Sequence, residues 1–432
     1  MSGADQAEMS SIARVSTDDP SEPDGEVLRT REQAEAYVAS VCFKHGPPRL
    51  IGVELEWLLG RAPRCSPLDV TALVTALGPH TPHTLDPQSP ALPLPRGSLV
   101  TVEPGGQVEL ASPPLPDIES LFAAVESDTA TLHTRLRAHD LLPIPFAGDP
   151  TGTPRRLLNV PRYAAMEAAF DRIGPHGRSM MCSTAAVQPS YDLGEQSELW
   201  QRWTVLHAAG PVLLAAFANS PVLHGQRTGW KSSRMECWWA LDPPRTAPPD
   251  LSVADPAAGY AHRAMEAGLL CLRRRDASWD APAGVSFADW LAGALPDKPT
   301  TADLDLHLST MFPPVRPQGT HLEVRYLDAQ AGREWVVPVV VLAAVLADPR
   351  TTRGVLEACL PVADRWTAAA RIGLADAALA RAAVTVFTFV LEALPGVIGP
   401  GPVRDLVEQV LRERAMRGLC PADAQRGAEE VR

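Results

Sequence analysis

The stretch RLIGVELEWLLG, Arg49 to Gly60, decides the fold and poses a problem of charge. It reads as an apolar strand, yet it carries Glu54 and Glu56 two residues apart. Side chains on a strand alternate faces, so Val53, Leu55 and Trp57 point one way and the two carboxylates point the other. Two negative charges then share one face of a sheet whose other face is core.

Two more segments repeat the pattern. In SLVTVEPGGQVELAS the arms alternate on either side of Pro104-Gly105-Gly106. A three-residue loop pairs position 103 with 107, which sends Val102 and Val108 together into the core and puts Glu103, Gln107 and Glu109 on one face. A two-residue Gly-Gly loop would instead place Glu103 and Glu109 on opposite faces, so the three-residue loop is the expected one. In QGTHLEVRYLDAQ (318–330), read as one strand, His321, Glu323 and Arg325 alternate with Leu322, Val324 and Tyr326.

The remaining chain reads mostly as helices. Thr30 caps one that ends near Phe43; others run from about Ser66 to Leu77, from Asp117 to His139, and through NVPRYAAMEAAFDRI. SELWQRWTVLHAAGPVLLAAFANS is long, with a kink expected at Pro211. RSMMCSTAAVQPSYDL is read as a strand, and 221–249, rich in Trp, Arg and Pro, as loop. Five helices follow Trp335, at 335–348, 351–358, 361–372, 374–394 and 402–414. Strands dispersed among long helices give an α+β class rather than regular βαβ alternation. Three regions are expected: an acidic disordered tail at 1–29, one catalytic domain over 30–415, and a flexible tail at 416–432.

With 432 residues, 45% hydrophobic, the chain can bury a large core. A net charge of −12 argues against nucleic acid or an anionic membrane surface as a partner. Seven scattered cysteines form no Cys-x-x-Cys pair, which disfavours a zinc ribbon or a disulfide framework. The opening residues lack a secretory h-region, and the apolar run VVPVVVLAAVLA (336–347) is too short to span a bilayer, so a cytoplasmic location is expected. No obligatory protein partner is evident.

Nucleotide-binding loops of the Gly-x-x-x-x-Gly-Lys and Gly-x-Gly-x-x-Gly kinds are absent, as is a Gly-x-Ser-x-Gly elbow. Alternating Glu on one strand is commonly a solvated face. Glu54, Glu56, Glu103, Glu109 and Glu323 together are another matter, because five converging carboxylates repel unless cations neutralise them. All-oxygen ligation selects Mg²⁺ or Mn²⁺, and bound Mg²⁺ is usually completed by substrate phosphates. Arg325, two residues from Glu323, would face the same phosphates. In GWKSSRMECWWALDP, Lys231, Arg234, Trp238 and Trp239 suit either an anionic small molecule or loop-to-core packing. His80 and His83 in HTPHT are read as solvated, and LRRRD (272–276) as a solvated helix face.

GVELEW, EPGGQVELAS, PRYAAMEAAF…GRSMMCSTAAVQPSYD, FANSPVLHGQRTGWKSSRMECWW and THLEVRYLD resemble, in order and spacing, the glutamate–cysteine ligases of the plant and bacterial type, most of all the actinobacterial enzymes of ergothioneine biosynthesis. The resemblance covers about residues 45–400. It implies a saddle-shaped antiparallel sheet backed by helices, as in glutamine-synthetase-like carboxylate–amine ligases. It also implies ATP-dependent joining of L-glutamate to L-cysteine through γ-glutamyl phosphate. By position it implies two or three Mg²⁺ on Glu54, Glu56, Glu103, Glu109 and Glu323, and phosphate contacts from Arg325 and Gln107. Arg234, Trp238, Tyr163 and Gln188 would sit near the amino-acid substrates, with Arg234 and Arg325 acting in catalysis. Pro189 departs from the plant pattern and suggests an edge strand. Two other readings stay open: a γ-glutamyl ligase of the same fold taking another amine, and a non-catalytic ligand-binding relative.

Overall fold

The computed structural model describes residues 25–61, 68–274 and 277–427, with side chains to Ala424. The first 24 residues of the expected acidic tail, together with Cys65 and Ser66, lie outside the described residues.

In chain order the main elements are α1 (Arg31–Cys42), β1 (Ile51–Trp57), β2 (Leu59–Arg61), α2 (Val70–Leu77), β3 (Leu99–Val102), β4 (Val108–Ala111), α3 (Ile118–Arg137) and β5 (Leu141–Pro143). Then come α4 (Pro161–Asp171), α5 (His176–Ser183), β6 (Val187–Asp192), α6 (Leu199–Ala208), α7 (Gly210–Phe217), α8 (Ser233–Trp239), α9 (Pro256–Glu266), α10 (Thr301–Leu308), β7 (Val315–Gln318) and β8 (His321–Val324). The C-terminal part is helical: α11 (Val336–Ala347), α12 (Pro349–Cys359), α13 (Trp366–Ile372), α14 (Ala377–Ala393), α15 (Pro402–Glu413) and α16 (Pro421–Gly427). Short polar side chains start many of these helices, as sequence suggests. Thr30 accepts from Gln33 N–H, Asp69 from Ala72 N–H and Asp117 from Ser120 N–H.

Six strands form one antiparallel sheet in the order β3-β4-β1-β6-β8-β7. Its register sorts the two faces. Glu56 lies opposite Glu109, which lies opposite Thr101; Glu54 lies opposite Gln188; Ser190 lies opposite Glu323, which lies opposite Arg316. Opposed residues share a face, so all of these polar groups look the same way. Val53, Leu55, Val102, Val108, Leu110, Val187, Leu322 and Val324 look the other way and are buried. Helices cover that apolar side: the Tyr191 hydroxyl donates to Val339 O of α11 at 2.6 Å and the Tyr326 hydroxyl to Leu206 O of α6 at 3.0 Å. One continuous apolar cluster runs from Leu28 to Ala415. The class is α+β, an antiparallel sheet backed by helices.

The hairpin takes the three-residue loop. Glu103 N–H donates to Gln107 O at 2.9 Å and Gly106 N–H to Glu103 O at 2.8 Å. Glycine is needed at the tip: a Cβ on Gly105 would collide with the backbone carbonyl of Cys182, and Gly106 has φ 93°.

Several expectations are corrected. Pro189 lies in β6, an interior strand, and not at an edge. The ladder to β8 stops at Ser190 and resumes only where Val187 N–H meets Leu327 O, so the missing proline donor falls in a break. Residues 318–330 are not one strand: β7 and β8 turn at Gly319, φ 60°. RSMMCS closes α5 rather than opening a strand, and SRMECWW within the expected loop is α8, capped by Ser232. The expected kink at Pro211 is a break at Ala209 between α6 and α7. Residues 272–274 are not helical, and Leu272 is buried. Neither chain end is free over its described part. Leu28 is buried and bonds Pro299 O, and α16 follows a buried Cys420.

By length and composition, Ala377–Gly396 could cross a membrane. Here its Leu379, Ala383, Val386, Phe387 and Val390 are buried in the core.

Candidate active site

The polar face of the sheet holds two kinds of carboxylate. Glu54, Glu56, Glu103 and Glu109 come from β1 and the β3–β4 hairpin. None of them forms a salt bridge among the described residues. Glu56 accepts from Ala186 N–H at 2.8 Å and from Gln188 Nε2 at 2.7 Å. Glu109, 8% exposed, accepts from the Thr101 hydroxyl at 2.5 Å. Neutral donors do not cancel the charge. Two carboxylates about 5 Å apart repel by roughly 3 kcal/mol at an effective dielectric of about 20. Burial, then Glu323, pushes Glu54 up to about 8; burial, then Glu103, pushes Glu56 up to about 7. Burial also raises Glu103, and burial with its acidic neighbours holds Glu109 well above the carboxylate range.

Glu323 is the opposite case. Arg316 Nε reaches one oxygen at 2.7 Å, Gln318 Nε2 the same oxygen at 2.6 Å, and Arg325 Nη1 the other at 2.5 Å. Burial alone would raise it, but Arg316 and Arg325 outweigh burial and bring it down to about 2. Glu323 is fully buried with both oxygens already taken, so, unlike the other four carboxylates expected to hold metal, it has cationic partners within the chain.

Arg325 lies with its guanidinium 5.4 Å from the centroid of the Trp238 indole, and Arg234 lies 5.1 Å from it. Trp238 thus stacks against two arginines. Arg234, 2% exposed, donates from Nη2 to Arg325 O at 2.7 Å and stands 3.8 Å from Asp328. Asp328, wholly buried, also accepts from Asn219 N–H and from the Ser220 and Ser232 hydroxyls. This network fixes the start of α8 under the face. Held so, Arg234 braces Arg325.

Gln188 Oε1, Arg325 Nε and Trp238 Nε1 are among the buried polar atoms on or beside the face that have no partner among the described residues. One is an acceptor next to unpaired carboxylates, and two are donors next to arginines. Together they suit a cation and an anion side by side.

The structure gathers Glu54, Glu56, Glu103, Glu109, Gln188, Glu323, Arg325, Arg234 and Trp238 around one face. It gives Gln107 a different task. The Gln107 amide donates to Met181 O and Thr184 O and accepts from Gly105 N–H, so it ties the hairpin to α5 and has no donor left for phosphate. Tyr163 sits half-buried on the first turn of α4, under Arg162 at 5.8 Å. His80 and His83 bond Leu92 O and Ser89 O; they hold the Pro-rich loop together. Sequence reading missed Arg316, on a strand it did not recognise, and Arg162, whose charge acts on Glu103. The alternation of Val315-Arg316-Pro317-Gln318 up to Gly319 was the available signal for the first.

Among the described residues, no three Asp, Glu, His or Cys side chains are arranged to hold a metal by themselves. The donor set nevertheless fits hard divalent cations: four carboxylates without a cationic partner and one orphaned amide oxygen.

The model of glutamate-cysteine ligase family 2 matches residues 50–431. The chain belongs to that family. It is 37% identical to glutamate–cysteine ligase EgtA of Mycolicibacterium smegmatis, over 84% of this chain and 85% of the relative. It is 36% identical to EgtA of Mycobacterium tuberculosis, over 95% and 93%. The chloroplastic glutamate–cysteine ligase of Medicago truncatula is more distant, 29% identical over 60% of this chain and 52% of the relative. The chain is therefore a ligase, nearer to the bacterial branch than to the plant one.

Proposed function

We propose that the polar face of the sheet is where this ligase joins the γ-carboxyl of L-glutamate to the amine of L-cysteine, using ATP and two or three Mg²⁺, to give γ-glutamylcysteine for ergothioneine synthesis. The observation that carries the reading is the split face: unpaired carboxylates at Glu54, Glu56, Glu103 and Glu109 beside the arginines that grip Glu323. Bound cations would supply neutralisation of the phosphate oxygens during transfer. Bound Mg²⁺ is usually completed by substrate phosphates, so ATP oxygens would share the cations with these carboxylates.

The chain's own groups have separable tasks. Gln188 Oε1 and the four carboxylates would hold cations, and the unpartnered Nε of Arg325 would take a phosphate oxygen. The γ-carboxylate oxygen of glutamate bonds to the γ-phosphorus while ADP departs. The cysteine amine then attacks the acyl carbon, phosphate leaves, and the amine loses a proton. Trp238 Nε1, buried without a partner among the described residues, would donate to a substrate carboxylate, and its indole packs against both Arg325 and Arg234. Sheet-borne ligands suit such a reaction, because catalysis of phosphoryl transfer is mostly positioning and charge compensation.

The test is ADP release by the full chain with Mg²⁺, ATP and glutamate over a panel of amines, with the product identified by mass. Cysteine-dependent turnover giving γ-glutamylcysteine is expected. Strong preference for another amine would make the protein a γ-glutamyl ligase of different acceptor, and no phosphate release would make it a binding protein.

A further inference from the structure

α8 carries Arg234 and Trp238, and its first residues are anchored from outside the sheet. Lys231, the residue before the Ser232 cap, is 4% exposed, so its ammonium is buried in the fold. It donates from Nζ to Asp423 Oδ2 at 2.8 Å. Asp423 lies on α16, in the segment that composition marks as a free tail. The same carboxylate oxygen accepts from Cys420 N–H at 3.0 Å and from its thiol at 3.3 Å, which closes the segment into a compact turn. Ala422 N–H donates to Ala218 O at 3.0 Å, and Cys420 and Ala422 are buried against Ala218.

From there the chain of bonds runs inward. Ala218 precedes Asn219 and Ser220, both of which donate to Asp328. Ser220 N–H donates to Lys231 O at 3.0 Å, Ser233 N–H returns to Ser220 O at 3.0 Å, and Arg234 N–H to the Ser220 hydroxyl at 3.2 Å. α13 closes the other side: Lys231 and Ser232 N–H both donate to Ala370 O at 2.9 Å. Gly373 is packed so closely that a Cβ there would come within 2.8 Å of the Lys231 stem.

We infer that the segment Cys420–Asp423 is a strut of the substrate pocket: by pairing with Lys231 it fixes the start of the helix that places Arg234 and Trp238, which makes Lys231 and Asp423 positioning residues for amino-acid substrate. The inference rests on the proposed function only for which molecule that helix faces. A buried ammonium keeps its place only while its counter-charge is there. Without Asp423 the first turn of α8 is free to shift, and a displacement of about 1 Å in a positioning group is enough to cost on the order of 10²-fold in rate.

The experiment compares wild type, Asp423→Asn, Asp423→Glu and a chain ending at Gly418. Two readouts are taken: KM for each substrate and amide hydrogen exchange of residues 231–240. The strut predicts a tenfold or greater rise in KM for glutamate or cysteine in Asp423→Asn and in the shortened chain, faster exchange over 231–240, and recovery of both in Asp423→Glu. A fall in Tm with unchanged KM values and unchanged exchange would overturn it, since the segment would then only add stability. If the wild type makes no γ-glutamylcysteine, the functional reading fails, while the exchange comparison still decides whether the segment holds α8.

Discussion

Glu56 and Glu323 stand on the same face of one sheet, and they are in opposite electrical states. Glu56 on β1 meets Glu109 across the strand pair and has only a backbone N–H and an amide for company. Glu323 on β8 meets Arg316 across its pair and is gripped by Arg325 from its own strand. Burial is common to both, so the difference is the cross-strand neighbour. One half of the face lacks positive charge and the other half holds it ready. A Mg–ATP complex, with cations at one end and phosphate oxygens throughout, is the kind of ligand that satisfies both halves together.

The comparison breaks first at Glu56. Glu56→Gln keeps the size and removes the charge, and its single amide oxygen can accept from only one of the two donors, Ala186 N–H or Gln188 Nε2. If the unpaired half holds metal, kcat should fall about 10³-fold, equivalent to roughly 4 kcal/mol of lost charge stabilisation, with the fold kept by circular dichroism. Turnover within threefold of wild type would remove Glu56 from the ligand set. The paired half should break differently. Arg316→Met leaves the buried Glu323 with Arg325 and Gln318 alone, so the urea-unfolding free energy should drop by about 3 kcal/mol, the low end for a broken buried pair. Glu323→Gln added to Arg316→Met should return a measurable part of that loss. A double variant no more stable than Arg316→Met would mean that the two side chains are not coupled.

Much of this site could be read from residues because strand alternation is local. Glu54 and Glu56 against Val53 and Leu55, and Glu323 against Leu322 and Val324, need only a period of two. The hairpin register followed from requiring Val102 and Val108 to share the core. What failed needed knowledge of neighbours. Pro189 looked like an edge residue because the break in the β6–β8 ladder is a tertiary feature. Arg316 was hidden by Pro317, which makes VRPQ a poor strand by propensity, and β7 is indeed an outer strand. In SRMECWW the tryptophans masked a seven-residue helix whose Ser232 cap was the better signal. Gln107 was placed on the right face, yet its amide went to Met181 and Thr184, and no pattern within the hairpin encodes that.

The smallest expected effect tests the comparison through pH. Burial, then Glu323, raises Glu54 to about 8 in the folded protein, against an ordinary value of 4.5. Between those values the folded state binds more protons than the unfolded chain, so this group's contribution is full below about 4.5 and is lost as pH rises through about 8. Glu54→Gln removes the titration. In metal-free protein, the Tm of the variant minus that of wild type should therefore grow from pH 6 to pH 8.5 by about 2 °C, on the order of 1 kcal/mol. The buried His207 and His307, depressed to about 3 chiefly by burial, work in the other direction up to their ordinary value, but they are common to both proteins and cancel in the difference. Glu323 supplies the contrast. Held at about 2, its own stabilisation is present above the ordinary carboxylate value and lost only as pH falls towards 2; because Glu323→Gln also removes the charge that helps raise Glu54, its difference from pH 6 to 8.5 should have the same sign as that of Glu54→Gln and be smaller. With Mg²⁺ and ATP added, the Glu54 difference should shrink or change sign, because the variant then lacks a ligand that wild type uses. A Glu54 difference that is flat from pH 6 to 8.5 would mark Glu54 as a solvated carboxylate and would remove the charge imbalance on which the two-sided site depends.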